Sequence, residues 1–467
     1  MRTGNRLLER GATAAFVLAA LAATVLGASS CSSDDQILGE DLSDAAATDD
    51  AAPVADAGPG TDADAAPSAP VRDAATSDAA PSPVVCTTPP CATALVTTVA
   101  STPIAGGFCA LLQDKTVACW GENREAQLGR GAAAGTTDSA VPQRVEGLTG
   151  IEYLGRGCAV DGAGDSWCWG TGPFLRSTDA ASTTEASPVK LPIPAATMVS
   201  VTRHQDISFP EQSYAVGCAV VDSGVICWGT NNMGHSALPE VGAAMTKTYE
   251  PRTLPVPSGA PIKELSVGWA AFAVRADGTA LSWGANPPLG RVSSLFPDPY
   301  PRPASLPAVT IVDAFHENAC AVSQGIAYCW GGNVHGTFNY GVDEPMKFAV
   351  PAVVPTPEPV VDIATHSSVG NTTIPQRACA VGVSGAVYCW GNNASGQVGD
   401  GTREYALAPV KVAGLPAPAS RVKVNARSTC ALLTNGKIHC WGDNAYGQLG
   451  NGRLRQPSLV PQEVVLP

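Results

Sequence analysis

Residues 430–442 read CALLTNGKIHCWG and residues 442–452 read GDNAYGQLGNG. Two short apolar runs flank Thr434-Asn435-Gly436. A three-residue hairpin loop favours glycine at its last position, where the backbone turns left-handed. The segment is therefore a hairpin that places Cys430 opposite Cys440. Opposed residues in an antiparallel ladder have Cα atoms about 4.5 or 5.5 Å apart, within disulfide reach.

The same unit recurs along the chain. A Trp-Gly pair stands at Trp120, Trp169, Trp228, Trp283, Trp330, Trp390 and Trp441, at intervals of 47 to 60 residues. Six units carry a cysteine pair before it: Cys109 with Cys119, Cys158 with Cys168, Cys218 with Cys227, Cys320 with Cys329, Cys379 with Cys389 and Cys430 with Cys440. The spacing is ten in four pairs and nine in two. Nine fits a two-residue loop such as Gln324-Gly325. In the fourth unit, FAVRADGTALSWG, Phe272 and Ser282 occupy both cysteine positions. Loss of both members together is what a bonded pair predicts. Metal binding and reduced core thiols are the rival readings; against metal, one pair supplies two ligands rather than four, with no CxxC to complete a zinc site. Cys86 and Cys91 are left over and are expected to close a small loop before the first unit.

Period-two hairpins, frequent turns and no long stretch of helical period make the body all-β. A repeat of this length points to stacked sheets. The units resemble repeats of the regulator of chromosome condensation family, RCC1, in which Trp-Gly is followed by an Asn-x-x-Gly-Gln-Leu-Gly loop. Asn444, Gly447, Gln448, Leu449 and Gly450 match fully. Asn393, Gly396, Gln397 and Gly399 match with Val398 for Leu, and Asn123, Gln127, Leu128 and Gly129 match with Ala126 for Gly. The middle four units keep the Trp-Gly and lose most of the rest. The resemblance implies a seven-bladed β-propeller over residues 92–467, with a central channel. The repeated Trp would fill the space between blades. Closure is expected from pairing of the tail, 457–467, with the early segment 94–101.

The two ends of the chain differ sharply in charge. Of the formal −13, residues 32–85 hold −11 and residues 1–31 hold +2, which leaves −4 for residues 86–467. A body without surplus base does not track phosphates, so nucleic acid is not an expected partner. Arg2, Arg6 and Arg10 precede an apolar run from Ala12 to Leu26 and small residues ending at Cys31. This is the pattern of a signal peptide, and it resembles a bacterial lipobox with Ala28 where Leu is usual. Residues 1–31 are thus expected to export the chain, with Cys31 as the lipidated residue. Residues 32–91 form an Asp/Ala/Pro-rich linker whose stretch 32–85 cannot bury enough apolar surface to order itself. The expected location is the cell envelope, lipid-anchored at the outer membrane or surface, otherwise periplasmic or secreted.

No GxSxG, HExxH, P-loop, Rossmann or EF-hand pattern is present, and no cofactor is expected. Loop length gives a positive signal. From Val422 to Cys430 and from Val312 to Cys320 are 8 residues, but from Val361 to Cys379 are 18 and from Val199 to Cys218 are 19. Equivalent insertions in repeat proteins fall on one face, often the binding face. They nominate Arg203, His204, Phe209, Tyr214, Asn371 and Arg377 as recognition residues, against the plain alternative of tolerated surface insertions. The function expected is a monomeric module that binds a protein or glycan without catalysis. A polysaccharide hydrolase or lyase at the channel mouth and a purely structural envelope component are the alternatives.

Overall fold

The computed structural model describes residues 80–99, 106–176, 182–204, 213–236, 248–333, 346–366 and 376–467, all within one unit, Arg72–Pro467. They form seven four-stranded antiparallel sheets, each ordered 1-2-3-4 from contiguous sequence. The first strands are Ala92–Thr97, Ile151–Gly155, Ala196–His204, Ile262–Val267, Val309–Phe315, Val360–His366 and Ala419–Val424. All seven line one axial cavity. The molecule is a seven-bladed propeller with each blade's fourth strand at the rim. Hairpins joining strands 2 and 3 form one face. Links 1–2 and 3–4 form the other, hereafter the loop face.

The cysteines face each other as the hairpin reading requires. Direct register partners are Cys109 and Cys119 in blade 1, Cys158 and Cys168 in blade 2, and Cys218 and Cys227 in blade 3. Blades 5, 6 and 7 repeat the arrangement with Cys320 and Cys329, Cys379 and Cys389, and Cys430 and Cys440. Each of the six pairs is bonded, with Cα atoms 4.0 to 4.1 Å apart. Phe272 and Ser282 are register partners in blade 4. Phe272 packs edge-on against Trp330 of blade 5. Ser282 accepts a hydrogen bond from Arg291 Nε (3.1 Å), and Arg291 is ion-paired with buried Asp298 at 2.7 Å.

The repeated Trp is a bolt between blades. All seven are fully buried. The indole N–H of Trp120, Trp169, Trp228, Trp283, Trp330 and Trp441 donates to a backbone carbonyl in the preceding blade's 3–4 loop, at 2.5 to 3.1 Å. The acceptors are Gln448, Gln127, Pro173, His235, Pro288 and Gln397. The glycine after each Trp sits at a register shift. Gly442 has φ +101°, and a Cβ there would lie 2.4 Å from Arg427 O.

The motif loop has its own logic. Asn444 Oδ1 accepts the Leu449 N–H (3.0 Å), and Gln448 Oε1 accepts the Tyr446 N–H (2.8 Å). Asn123 with Gln127, and Asn393 with Gln397, repeat both bonds. Blade 3 keeps the first of them, with Asn231 accepting from Ser236 N at 2.9 Å.

The ring does not close by the expected pairing of 457–467 with 94–101. Ser458–Glu463 pairs with Ile438–Gly442 inside blade 7, and Ala92–Thr97 pairs with Gly107–Leu112 inside blade 1. The tail is a rim strand and the early segment an axial one, so the two do not pair, although Leu95, Val464 and Leu466 share one core. Packing closes the ring instead. Phe108, Trp120, Leu432, Leu449, Val464 and Leu466 share one core between blades 7 and 1, and Trp120 donates to Gln448 O across the seam.

The linker boundary at residue 91 also moves. Ser82 O accepts from Ser420 Oγ (2.6 Å), and Val85 N donates to Thr434 O (2.7 Å). Cys86 and Cys91 are bonded, and Val84 packs on the seam core. Residues 82–91 are thus a clip on the hairpin face of blade 7, tied down by one short cross-linked loop. Cys31 and the rest of residues 1–79 lie outside the described residues.

Candidate functional site

Two features converge on the propeller axis. The first is a plug near the loop face, built at the ends of the first strands. His204 from blade 3 meets His316 of blade 5 edge-on, with centroids 5.1 Å apart. Phe315 stacks on His366 of blade 6 at 4.2 Å. Arg156 of blade 2 lies 5.0 Å over the Phe315 ring and 3.9 Å from Asp313. Tyr214 adds a further edge contact to His316. Side chains from four blades therefore meet across the axis, and the channel implied by the family resemblance is closed here. Burial pushes the imidazoles of His316 and His366 well below their ordinary range, with neighbouring positive charge adding to it. Both are neutral near pH 7. Among the described residues, no group of His, Cys, Asp or Glu converges as metal ligands do.

The second feature is the cavity behind the plug, about 350 Å³, which includes Arg156, Glu264, Asp313, Asp362, Arg421 and Lys423 in its wall. Its carboxylates also tie neighbouring first strands together. Asp313 accepts the Thr365 N–H and Asp362 the Val422 N–H, each at 2.8 Å. Ser266 Oγ accepts the Ala314 N–H at 2.9 Å in the same way. Glu264 keeps part of its surface open to the cavity. Desolvation nonetheless pushes its carboxyl up to about 8, against the pull of Lys423 and Arg421.

The nominated recognition residues separate into groups. Phe209 and Asn371 lie outside the described residues. His204 and Tyr214 are buried in the plug. Arg203 is largely buried, with an ion pair to Glu125 of blade 1 at 2.9 Å. Arg377 is not on a loop at all. It sits in the second strand of blade 6, fully buried, and donates to Gln397 O, Asn425 O, Ser428 O and Thr429 Oγ1. Burial pulls its guanidinium down to about 9. It joins blades 6 and 7, which removes it from any surface that a ligand touches. The placement of the insertions is informative all the same. Segments 205–212 and 367–375 spring from His204 and His366, the last residues of two first strands. Both roots belong to the loop face.

The loop face carries one more feature. In blade 4, Val292 and Phe296 are 80% and 79% exposed. Their loop is held at its base by the Arg291–Asp298 pair and by Ser293 Oγ donating to Asp298 (2.7 Å). Sequence reading missed this tip, and it missed His316, His366, Arg156 and Glu264. The legible signal was charged or His residues at alternate positions of otherwise apolar first strands, as in Arg421-Val422-Lys423-Val424.

Fold and site define a repeat propeller whose blades are bolted by Trp and whose two longest 1–2 links are rooted on one face. Residues 384–432 and 435–467 match the family described as Regulator of chromosome condensation (RCC1) repeat, and a second description of that repeat matches 420–448. The end of blade 6 and blade 7 thus carry repeats of the RCC1 kind, within a seven-bladed propeller. It is 28% identical over 242 residues to the ultraviolet-B receptor UVR8 of Arabidopsis thaliana, covering 49% of this chain and 51% of that protein. It is 30% identical over 161 residues to the E3 ubiquitin-protein ligase HERC2 of Homo sapiens, covering 32% of this chain and 3% of that one. The chain thus spans about half the length of the first relative and a small part of the second. Among solved structures, yeast RCC1 (Prp20) bound to Kap60 superposes with TM-score 0.60 at 21% identity, covering 74% of this chain and 83% of that one. Human WBSCR16 gives 0.59 at 20%, covering 75% and 94%.

Proposed function

We propose that this chain is a non-catalytic binding module of the cell envelope that recognises a protein or glycan through the loop face. The observation that carries the reading is that the roots of both long insertions, His204 and His366, lie on the same face as the braced apolar tip of blade 4. A rigid loop that presents Val292 and Phe296 to solvent loses little entropy on binding, and exposed aromatic anchors are typical hot spots. That chemistry favours a protein ligand over a glycan. The structural relatives support a protein-binding scaffold: yeast RCC1 is described bound to Kap60, and Prp20p with binding properties toward Gsp1p and histones.

Seven disulfides fit an oxidising compartment. Export through residues 1–31 and lipidation at Cys31 would supply it. The clip at residues 82–91 lies on the hairpin face, opposite the loop face. Cross-linking of the full chain in its native envelope tests the reading. A stoichiometric partner is expected, lost when 205–212 is replaced by Gly-Ser or when Phe296→Ser is introduced, and kept in the hairpin-face variant Asn435→Lys. A partner kept in both loop variants, or turnover of a glycan by the pure protein, overturns it.

A further inference from the structure

The axial cavity holds more positive charge than its ion pairs use. Arg156, Lys263, Arg421 and Lys423 line it, against Glu264, Asp313 and Asp362. Two of the carboxylates are already engaged. Asp362 takes the Val422 N–H and Arg421 Nη1 (3.2 Å). Asp313 takes the Thr365 N–H and stands 3.9 Å from Arg156 Nη2. Among the described residues Lys263 and Lys423 have no ion-pair partner, and Nη1 of Arg156 is buried with no acceptor. Cationic side chains gathered at a cavity without full compensation are costly, and a bound anion relieves that cost. The third carboxylate does not supply the compensation, because Glu264 keeps its proton up to about pH 8 and then acts as a donor rather than a counter-ion.

The cavity opens toward the hairpin face. The plug closes it toward the loop face. Toward the hairpin face it continues into an opening bordered by Lys263, Glu264 and Arg421 beside Ala80 and Pro81. At about 350 Å³ it lies at the small end of ligand pockets.

We propose that the axial cavity is a binding site for a small oxyanion, of carboxylate, sulfate or phosphate type, held by Arg156 and Lys423 and entering from the hairpin face. The site is separate from the loop-face recognition surface and does not depend on it.

Isothermal titration of the full chain with sulfate, whose charge is constant across the range used, and with succinate tests the site. One equivalent of at least one anion is expected to bind, and the preferred probe tells the sulfate or phosphate class from the carboxylate class. Lys423→Met should weaken binding by about tenfold or more, the loss of one charge-assisted contact. The methionine keeps the stem, and Lys423 has no ion pair to lose, only its attraction to Glu264, so the anion-free thermal midpoint should change little. In the native chain affinity should fall as pH rises through 8, because ionised Glu264 puts a negative charge beside the ligand. Glu264→Gln should bind and lose that pH dependence. No binding of either anion at tens of millimolar, or equal binding by Lys423→Met, overturns the proposal.

Discussion

Blades 4 and 7 have the same four-strand meander and solve the same problem by different chemistry. In blade 7 the second and third strands are tied by Cys430–Cys440. In blade 4 the equivalent positions are Phe272 and Ser282. The ring of Phe272 fills space against the next blade, and the polar side is taken by the buried Arg291–Asp298 pair with Ser282. A covalent staple acts mainly on the unfolded chain. A buried ion pair acts only in the folded state, and only while both partners are present. The two blades should therefore fail under different insults.

The largest effect is expected from Arg291→Met, which leaves Asp298 buried without its cation. It should cost about 3–5 kcal/mol in denaturant unfolding, and it should free the blade 4 tip, seen as lost amide protection over 291–300. Equal stability would show that the pair does not replace the staple. Next comes Cys430→Ala with Cys440→Ala, whose ten-residue spacing predicts a loss of about 3 kcal/mol. Under reductant, hydrogen exchange should rise in the six stapled blades and least in blade 4. A uniform rise would mean that the ring unfolds as one unit. The smallest change sharpens the comparison of motif loops. Ala126 holds φ +58° where Gly447 and Gly396 hold +84° and +78°. A left-handed non-glycine residue costs about 1–2 kcal/mol, partly offset by the greater freedom of unfolded glycine. Ala126→Gly should then stabilise by about 0.5 kcal/mol, and a loss of stability would sink that account.

The motif loops also show why recognition by residue identity faded in the middle blades while the fold did not. The Trp N–H is received by a backbone carbonyl, which every residue supplies. Gln448 and Gln397 provide it in matching loops, but Pro173, His235 and Pro288 do so equally well. The next residue must be small or apolar enough to be buried: Leu449 and Val398 in the matching loops, Phe174, Ser236 and Leu289 in the diverged ones. A side-chain pattern sees the glutamine and misses the carbonyl. Loop lengths likewise exposed the two insertions. The residue types nominated within them pointed to Arg377, whose side chain is a bolt between blades.

The sequence by itself determined the local units: hairpin register, cysteine partners, blade number and the positions of the long loops. The partners of Cys119, Cys168, Cys227, Cys329, Cys389 and Cys440 each lie nine or ten residues back along the chain, so spacing encodes them directly. Only the tertiary structure decided what lies on the axis and how the ring closes. Arg156, His204, Phe315 and His366 come from four blades, up to 210 residues apart in number, and no periodicity within a blade records which first-strand side chains point at one another. Closure depends likewise on a rim strand and an axial strand belonging to opposite edges of their sheets, a relation that exists only once seven sheets are arranged around one axis.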